Sequence, residues 1–175
     1  MSQTVEQQVA VLLPCVRSHP DDEDSWKKLR RCVSRMRDMD GLEDDFKLLT
    51  EEFPHVYMAW HIYANSLLVQ KRTEEAITAI RRALALCSND SRTWKLYGSI
   101  LNIAGRPKAA IKAHKKAVQL NKSDPEVWLS LSIALIKCGR VREARKAINR
   151  LVNLNPAMAM SAFEHLTRSG SGPLG

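Results

Sequence analysis

The sequence predicts an all-α fold: a right-handed α-solenoid of four 34-residue helical hairpins, with a leading helix before them and a capping helix after them. Three observations predict it. Successive tryptophans lie 34 residues apart, at Trp26, Trp60, Trp94 and Trp128. Apolar and small residues recur in columns at the same period. Glycine and proline fall at the places in each period where a helix has to stop.

The leading segment, residues 1–22, is predicted to form a helix over residues 2–19. Its apolar residues lie on or near one helical face, at Val5, Val9, Leu12, Leu13 and Val16. Pro20 falls at the phase at which later repeats carry their terminal proline. Two interpretations remain open at this point: an N-terminal cap, or the remainder of a further repeat.

The period divides residues 23–158 into four repeats: 23–56, 57–90, 91–124 and 125–158. Positions 4, 7, 8 and 11 of each repeat share the 3,4 spacing of one helix face, and positions 20, 24 and 27 share it on a second helix. Each repeat is therefore predicted to be a helical hairpin. Position 8 is small in three repeats, as a close helix approach requires, and departs from this at Arg30.

Glycine and proline mark the helix ends. Gly105 and Gly139 stand at position 15, where the first helix of a repeat stops. Pro54 and Pro156 stand at position 32, where the second helix gives way to the next repeat. In repeat one the glycine, Gly41, comes later than this pattern requires.

A capping helix is predicted over residues 159–168, because stacked repeats otherwise expose an apolar face at each end. The residues expected to pack on repeat four are Ala159, Ala162, Phe163 and Leu166. Residues 169–175 have the composition of a linker or tag remnant and are left out of the fold.

The net charge of +8 is unevenly distributed. Residues 1–56 hold 8 Lys and Arg against 12 Asp and Glu, whereas residues 57–175 hold 19 against 7. Such a surplus favours association with nucleic acid or acidic proteins. The chain has no apolar run long enough for a membrane span, and no cation precedes the first apolar stretch as a signal peptide requires. We expect an intracellular protein, cytoplasmic rather than nuclear.

Residue patterns that support catalysis or metal binding are absent from the sequence. The four cysteines form no CxxC pair, the five histidines form no HExxH motif, and no phosphate-cradling GxxxxGK[ST] occurs. We therefore expect no enzyme activity, no metal, no cofactor and no small-molecule substrate. His114 and the tryptophans occupy columns that helix packing accounts for, so we expect them to be core residues.

These columns resemble the tetratricopeptide repeat, whose pattern is matched best by Trp94-x2-Tyr97-Gly98-x2-Leu101 followed by Ala110-x3-His114 and Ala117. The resemblance covers residues 23–158 and implies a protein-binding scaffold or adaptor. A second resemblance is to the half-a-TPR repeats of RNA-processing scaffolds. It depends on Trp60-x2-Tyr63 and Trp94-x2-Tyr97, together with Arg81-Arg82-Ala83-Leu84.

The first resemblance implies that the first helices of the repeats line a concave groove that binds a peptide or helical segment. The groove residues it implies are Lys27, Arg31, Met58, His61, Ile62, Asn65, Arg92, Lys95, Leu96, Ser99, Asn102, Leu129, Ile133 and Ile136. They run from basic at one end to apolar at the other, so the expected partner is a protein segment that is partly acidic and partly apolar. The chaperone-binding carboxylate clamp of the family is not expected, because Arg31, Ile62 and Leu96 depart from it.

The second helices of repeats three and four carry a set of cations on the expected convex side. They include Lys108, Lys112, Lys115, Lys116, Arg142, Arg145 and Lys146. An ordinary solvated face is one interpretation. The alternative is an RNA-processing scaffold that binds RNA or a partner through this basic convex face. A third interpretation is a structural subunit whose groove is permanently filled within its own complex.

Overall fold

A computed structural model of the chain describes residues 4–36, 39 and 41–170. Over these residues the chain forms ten α-helices, in agreement with the predicted all-α class. It divides into two compact units, Met1–Ser88 and Asn89–Gly175. Most of the predicted linker, residues 171–175, lies outside the described residues. No helix in the described part of the chain is long and apolar enough to cross a lipid bilayer.

Unit 1 contains five helices: α1 (Val5–Ser18), α2 (Glu23–Val33), α3 (Glu43–Glu52), α4 (Tyr57–Val69) and α5 (Thr73–Leu86). Helix α2 packs on α1 and α4, and α4 also packs on α3 and α5. Unit 2 contains α6 (Ser91–Ile103), α7 (Pro107–Leu120), α8 (Pro125–Lys137), α9 (Val141–Leu154) and α10 (Pro156–Gly170). Helix α7 packs on α6 and α8, α9 packs on α8, and α10 packs on both α8 and α9.

The four first helices begin at the residues from which the 34-residue period is counted, Glu23, Tyr57, Ser91 and Pro125. Three of them have an aspartate N-cap one residue earlier. The side chains of Asp22, Asp90 and Asp124 accept hydrogen bonds from backbone N–H groups of the first turn. These caps satisfy donors that a helix N-terminus leaves free. Local capping thus determines where each of these three helices starts.

The turn after the first helix uses a left-handed residue at position 15. Gly105 and Gly139 have φ angles of +70° and +68°, and Lys71 takes the same conformation at +63°. A residue with a Cβ is strained in this region of φ, which explains the two glycines and makes Lys71 the exception. In repeat one position 15 lies outside the described residues, and Gly41 has a φ angle of +79°.

Three of the four tryptophans bind their first helix to the segment before it. The indole N–H of Trp26 donates to the carbonyl of Pro20 over 2.9 Å. Trp60 donates in the same way to Pro54 over 2.9 Å, and Trp128 to Lys122 over 2.8 Å. Each acceptor lies six residues before its tryptophan, at position 32 of the period. Helix α1 therefore stands where a second helix of a repeat would stand.

The apolar columns contribute to a buried cluster in each unit. In unit 1 the fully buried side chains include Trp26, Leu29, Phe46 and Leu49. In unit 2 they include Leu135, Ile148 and Leu151. The expectation of core tryptophans holds fully for Trp26 alone, because Trp60, Trp94 and Trp128 remain partly exposed. Their polar indole N–H groups sit at helix starts, near the surface.

The capping helix α10 starts at Pro156, three residues before the predicted boundary. Ala159 and Ala162 are buried against unit 2, and Leu166 packs at the edge of the same core. The Phe163 side chain is 40% exposed, so it is at most partly packed. It lies four residues after Ala159 and three before Leu166, at the edge of the face that α10 packs against repeat four.

Candidate binding surfaces

The first-helix surface of unit 1, formed by α2 and α4, contains six of the predicted groove residues. Lys27 and Arg31 are exposed on α2. Lys27 pairs with Glu23 on its own helix, with 2.6 Å between Nζ and Oε2, and this hydrogen bond raises the pKa of the lysine. Asn65 is half-buried and donates to the carbonyl of Val33 over 3.3 Å. The basic end expected here is thus partly neutralised within α2.

Four of the predicted groove residues are buried. Met58, His61 and Ile62 are at most 6% exposed on α4, and Ile136 is 8% exposed on α8. Met58 and Ile62 belong to the unit 1 core, and Ile136 belongs to the unit 2 core. Helix α4 is covered on several sides by α2, α3 and α5, so periodicity alone could not tell its groove side from its core side. These four residues are not available to a ligand.

The first-helix surface of unit 2, formed by α6 and α8, contains the remaining seven predicted residues. Arg92 is exposed, and the others are half-buried: Lys95, Leu96, Ser99, Asn102, Leu129 and Ile133. The two helices are in contact. On α8 the residues Glu126, Leu129 and Ile133 follow one another at steps of three and four residues, so they share one face of the helix. This surface therefore brings two cations close to apolar side chains.

An ion pair closes one end of this surface. Lys95 on α6 donates a hydrogen bond to Glu126 on α8, and this bond lowers the pKa of Glu126. Arg92 adds a weaker attraction to the same carboxylate. The Lys95 side chain is 23% exposed, so the pair is partly shielded from water. Glu126 lies one period after Arg92, at a position that the family resemblance also places at the groove.

Beneath this surface, Asn102 and His114 form a polar pair within the α6–α7 interface. The Asn102 amide N–H donates to Nε2 of His114 over 3.4 Å. His114 is fully buried, as predicted, and burial lowers its pKa to about 4, with Lys95 as a second cause. Within the described part of the chain, Nδ1 of His114 and Oδ1 of Asn102 are buried without hydrogen-bond partners. Asn102 therefore faces inward and helps to hold His114.

Residue 98 has no room for a side chain, because the ring of His114 occupies the space that a Cβ would need. A Cβ at residue 98 would lie 2.5 Å from Cε1 of that ring, a distance that requires one of them to move. The sequence predicted a small residue here for a close approach of two helices, and the structure identifies the side chain that fills the space. In repeat one the same position holds Arg30, whose side chain is buried.

The basic face of unit 2 lies on the second helices α7 and α9. All seven predicted cations are exposed: Lys108, Lys112, Lys115, Lys116, Arg142, Arg145 and Lys146. The two helices are joined by an ion pair of 3.0 Å between Lys115 and Glu143. Glu143 also accepts a hydrogen bond from Arg140 over 2.6 Å, and these cations lower the pKa of Glu143. The cations thus lie on two helices that an ion pair joins.

The chain matches two descriptions of helical repeats. Residues 11–113, more than half of the chain, match a family described as "PRP39 N-terminal HAT repeat". Residues 101–162 match one described as "Tetratricopeptide repeat". The chain belongs to the family of tetratricopeptide and HAT repeats. Residues 11–113 thus resemble the HAT type of repeat, and residues 101–162 resemble the ordinary tetratricopeptide repeat. No curated protein matches the sequence.

Solved structures of tetratricopeptide-repeat proteins share the fold. TTC0263, a thermophilic TPR protein of Thermus thermophilus, is 15% identical with a TM-score of 0.75, over 93% of this chain and 91% of that chain. YrrB, described as a TPR protein with an unusual peptide-binding site, is 18% identical with a TM-score of 0.67, over 90% and 81%. The first TPR of Spaghetti (RPAP3), bound to the HSP90 peptide SRMEEVD, is 18% identical with a TM-score of 0.61, over 67% and 98%.

Among the described residues, no group of three or more His, Cys, Asp or Glu is placed to hold a metal ion. All four cysteines are free thiols. The accessible features of the described chain are surfaces: the α6–α8 surface with its mixed cations and apolar groups, and the basic face on α7 and α9.

Proposed function

We propose that this chain is a non-catalytic scaffold that binds a protein segment on the α6–α8 surface of unit 2. The observation that carries the proposal is the placement of Leu129 and Ile133 beside Arg92 and Lys95 on two contacting helices. Apolar side chains that stay partly exposed next to charged groups are typical of protein-binding surfaces. A bound segment would bury the apolar groups and place a carboxylate near Arg92.

The Lys95–Glu126 ion pair limits where this surface can bind an acidic group of a ligand. Lys95 is already neutralised by Glu126, so an acidic group of the ligand meets Arg92 directly and competes with Glu126 for Lys95. A ligand with one acidic residue and apolar residues beyond it fits this arrangement. Such a surface binds through a few apolar anchors, with charge selecting the orientation of the segment.

Peptide binding by structural neighbours supports the proposal. YrrB is described as having a peptide-binding site, and the Spaghetti repeat was solved with an acidic peptide. A further neighbour, the chaperone SycD of Yersinia enterocolitica, was solved with a peptide of the translocator YopD, at 15% identity and a TM-score of 0.58. The proposed ligand chemistry nevertheless depends on residues of this chain.

A peptide display library tests the proposal. Peptides selected on the immobilised wild-type chain are re-measured in solution by fluorescence anisotropy against Arg92→Glu and Ile133→Ser. We expect the selected peptides to combine acidic and apolar residues, and each substitution to weaken them about tenfold or more, a change of about 1.4 kcal/mol.

The matched control is Lys116→Glu, which makes the same charge change on the exposed side of α7. It should leave the affinity for the selected peptides unchanged, and far-ultraviolet circular dichroism should show that all variants remain helical. An equal loss in Lys116→Glu, or selection of basic peptides, would overturn the proposal. In that case the accessible cations, and not the α6–α8 surface, determine binding.

A further inference from the structure

The basic face of unit 2 has the composition of a phosphate-binding surface. On α7, Lys108, Lys112 and Lys116 follow one another at four-residue steps, about 6 Å apart along the helix axis. On α9, Arg142, Arg145 and Lys146 form a second row, and Arg150 continues it. The Lys115–Glu143 ion pair joins α7 to α9, so the helices that carry the two rows are neighbours. Exposed cations therefore project from two neighbouring helices.

The uncharged residues between these cations favour nucleic acid over an acidic protein. The exposed neutral side chains within the two rows are Ala109, Gln119 and Asn149. The larger exposed apolar residues of these helices, Leu120, Val141, Val152 and Leu154, lie in the first or last turn of their helix. A protein partner needs apolar anchors at the centre of its interface, whereas phosphate oxygens are bound by Lys, Arg, Asn and Gln.

The same residues favour a duplex over a single strand. Helices α7 and α9 contain no Trp, Tyr or Phe. Single-strand binding surfaces combine cations with aromatic side chains on which the bases stack. Without such side chains, a surface of this kind can engage the regular phosphate rows of a double helix and cannot read its sequence.

We infer that unit 2 binds the phosphodiester backbone of a double-helical nucleic acid through α7 and α9, without sequence preference. This inference is independent of the proposed peptide-binding function, because it uses the opposite helix of each repeat and none of the residues of the α6–α8 surface. Lys115 and Arg140 contribute less, since Glu143 pairs with both. The remaining cations of the two rows carry the binding.

The experiment measures anisotropy of a labelled RNA duplex with the full chain over a series of salt concentrations. A DNA duplex, a single-stranded RNA and poly-glutamate are the comparison ligands. The test variant is Lys112→Glu/Lys116→Glu/Arg145→Glu, in which every changed residue is exposed on the basic face. The control variant is Lys27→Glu/Lys28→Glu/Arg31→Glu, which makes the same charge change at exposed residues of α2. Circular dichroism checks that both variants fold.

We expect duplex binding that weakens steeply with salt, and a loss of at least tenfold in the test variant. The slope of log affinity against log salt should decrease by about 2–3 in that variant, because each removed phosphate contact accounts for about one unit. The control variant should lose less than threefold. The RNA and DNA arms identify which duplex fits the two rows better, and binding to either supports the inference.

Four results would overturn it. The first is no duplex binding at low salt. The second is an equal loss in both variants, which would mean that net charge alone causes association. The third is tighter binding of poly-glutamate or of the single strand than of either duplex. An affinity that differs tenfold between duplexes of different sequence would equally contradict a surface that contacts only the backbone.

Discussion

Units 1 and 2 connect their successive second helices with the same kind of ion pair but supply the charges differently. In unit 1, Arg17 of α1 reaches Asp45 and Glu52 of α3 over 3.1 and 3.0 Å. Arg72, just before α5, pairs with Glu43, which also lies on α3. Unit 1 thus has an acidic second helix that is neutralised from both sides. In unit 2, one carboxylate, Glu143, receives Lys115 and Arg140.

The charge balance of the two units follows from this difference. Residues 1–88 hold 12 Lys and Arg against 14 Asp and Glu, whereas residues 89–175 hold 15 against 5. Joining two neighbouring second helices takes one or two ion pairs in either unit, and exposed pairs of this kind contribute little stability. The surplus of cations in unit 2 is therefore not required by the fold. It is the property of this unit that a partner would use.

The largest expected effect compares the tryptophans of the two units. Trp26 is 1% exposed and packs edge-on against Phe53 at a ring distance of 5.8 Å, whereas Trp128 in unit 2 is half-buried. Trp26→Ala should lower the free energy of unfolding by about 3–5 kcal/mol. Trp128→Ala should cost about half as much, because less apolar surface is lost. Urea denaturation followed by circular dichroism measures both, and equal losses would contradict the difference in burial.

The second prediction concerns acid stability, which should fall first in unit 2. His114 has a pKa of about 4 in the folded chain against 6.5 when unfolded, because burial disfavours its charged form. The unfolded chain then binds more protons between these values. The free energy of unfolding therefore has its full value above about pH 6.5. It falls by about 3 kcal/mol in total as the pH falls towards 4.

Hydrogen exchange of α6 and α7 amides as a function of pH measures this loss locally. The control is His114→Ile, since Ile80 and Ile148 occupy the same position in repeats two and four. In this variant the free energy of unfolding should no longer decline between pH 6.5 and 4. It should keep the loss at lower pH that arises from ion-paired carboxylates such as Glu126, whose pKa is lowered below 4.5. A wild-type decline retained in His114→Ile would show that another group causes it.

The third prediction tests the contact between Gly98 and His114. Gly98→Ala should destabilise the chain by about 2 kcal/mol, because the new Cβ would overlap the imidazole ring. In a His114→Ala background the same substitution should become stabilising by up to about 1 kcal/mol, since alanine is the better helix residue. A double-mutant cycle in urea measures this reversal of sign. Additive effects would mean that the backbone of α7, and not the ring, limits residue 98.

The sequence predicted the helices more completely than the surfaces. The 34-residue period and the glycine positions were sufficient to place the starts of α2, α4, α6 and α8, because caps and turns are local. The first-helix surface was less predictable. Met58, Ile62 and Ile136 occupy positions that resemble groove positions, but the neighbouring helices of their own unit cover them. Burial of this kind depends on how tightly each hairpin packs.

Two further features depend on partners that single positions do not reveal. From its position, Lys95 was expected to bind an acidic ligand. In the structure it pairs with Glu126, which lies one period after Arg92. The tryptophans were explained by packing, whereas Trp60 and Trp128 also donate to the carbonyl six residues earlier. A comparison of charges at equal positions of successive repeats would have found the first feature. The second feature can be found only when the backbone path of the segment before each first helix is known.

The smallest expected effect compares the left-handed turn residues of the two units. Gly139→Ala in unit 2 should cost about 1 kcal/mol, because alanine is strained at a φ of +68°. A Cβ there would meet no atom within 4 Å, so strain in the backbone conformation is the whole cost.

Lys71→Gly in unit 1 removes the same strain, offset in part by the greater freedom of glycine in the unfolded chain. It should stabilise the chain by about 0.5 kcal/mol. Lys71→Ala is the matched control, since it keeps the strain and should leave stability unchanged. A stabilisation by Lys71→Ala as large as that by Lys71→Gly would assign the effect to the lysine side chain and not to its φ angle. Thermal unfolding of all three variants under one set of conditions decides between these two causes.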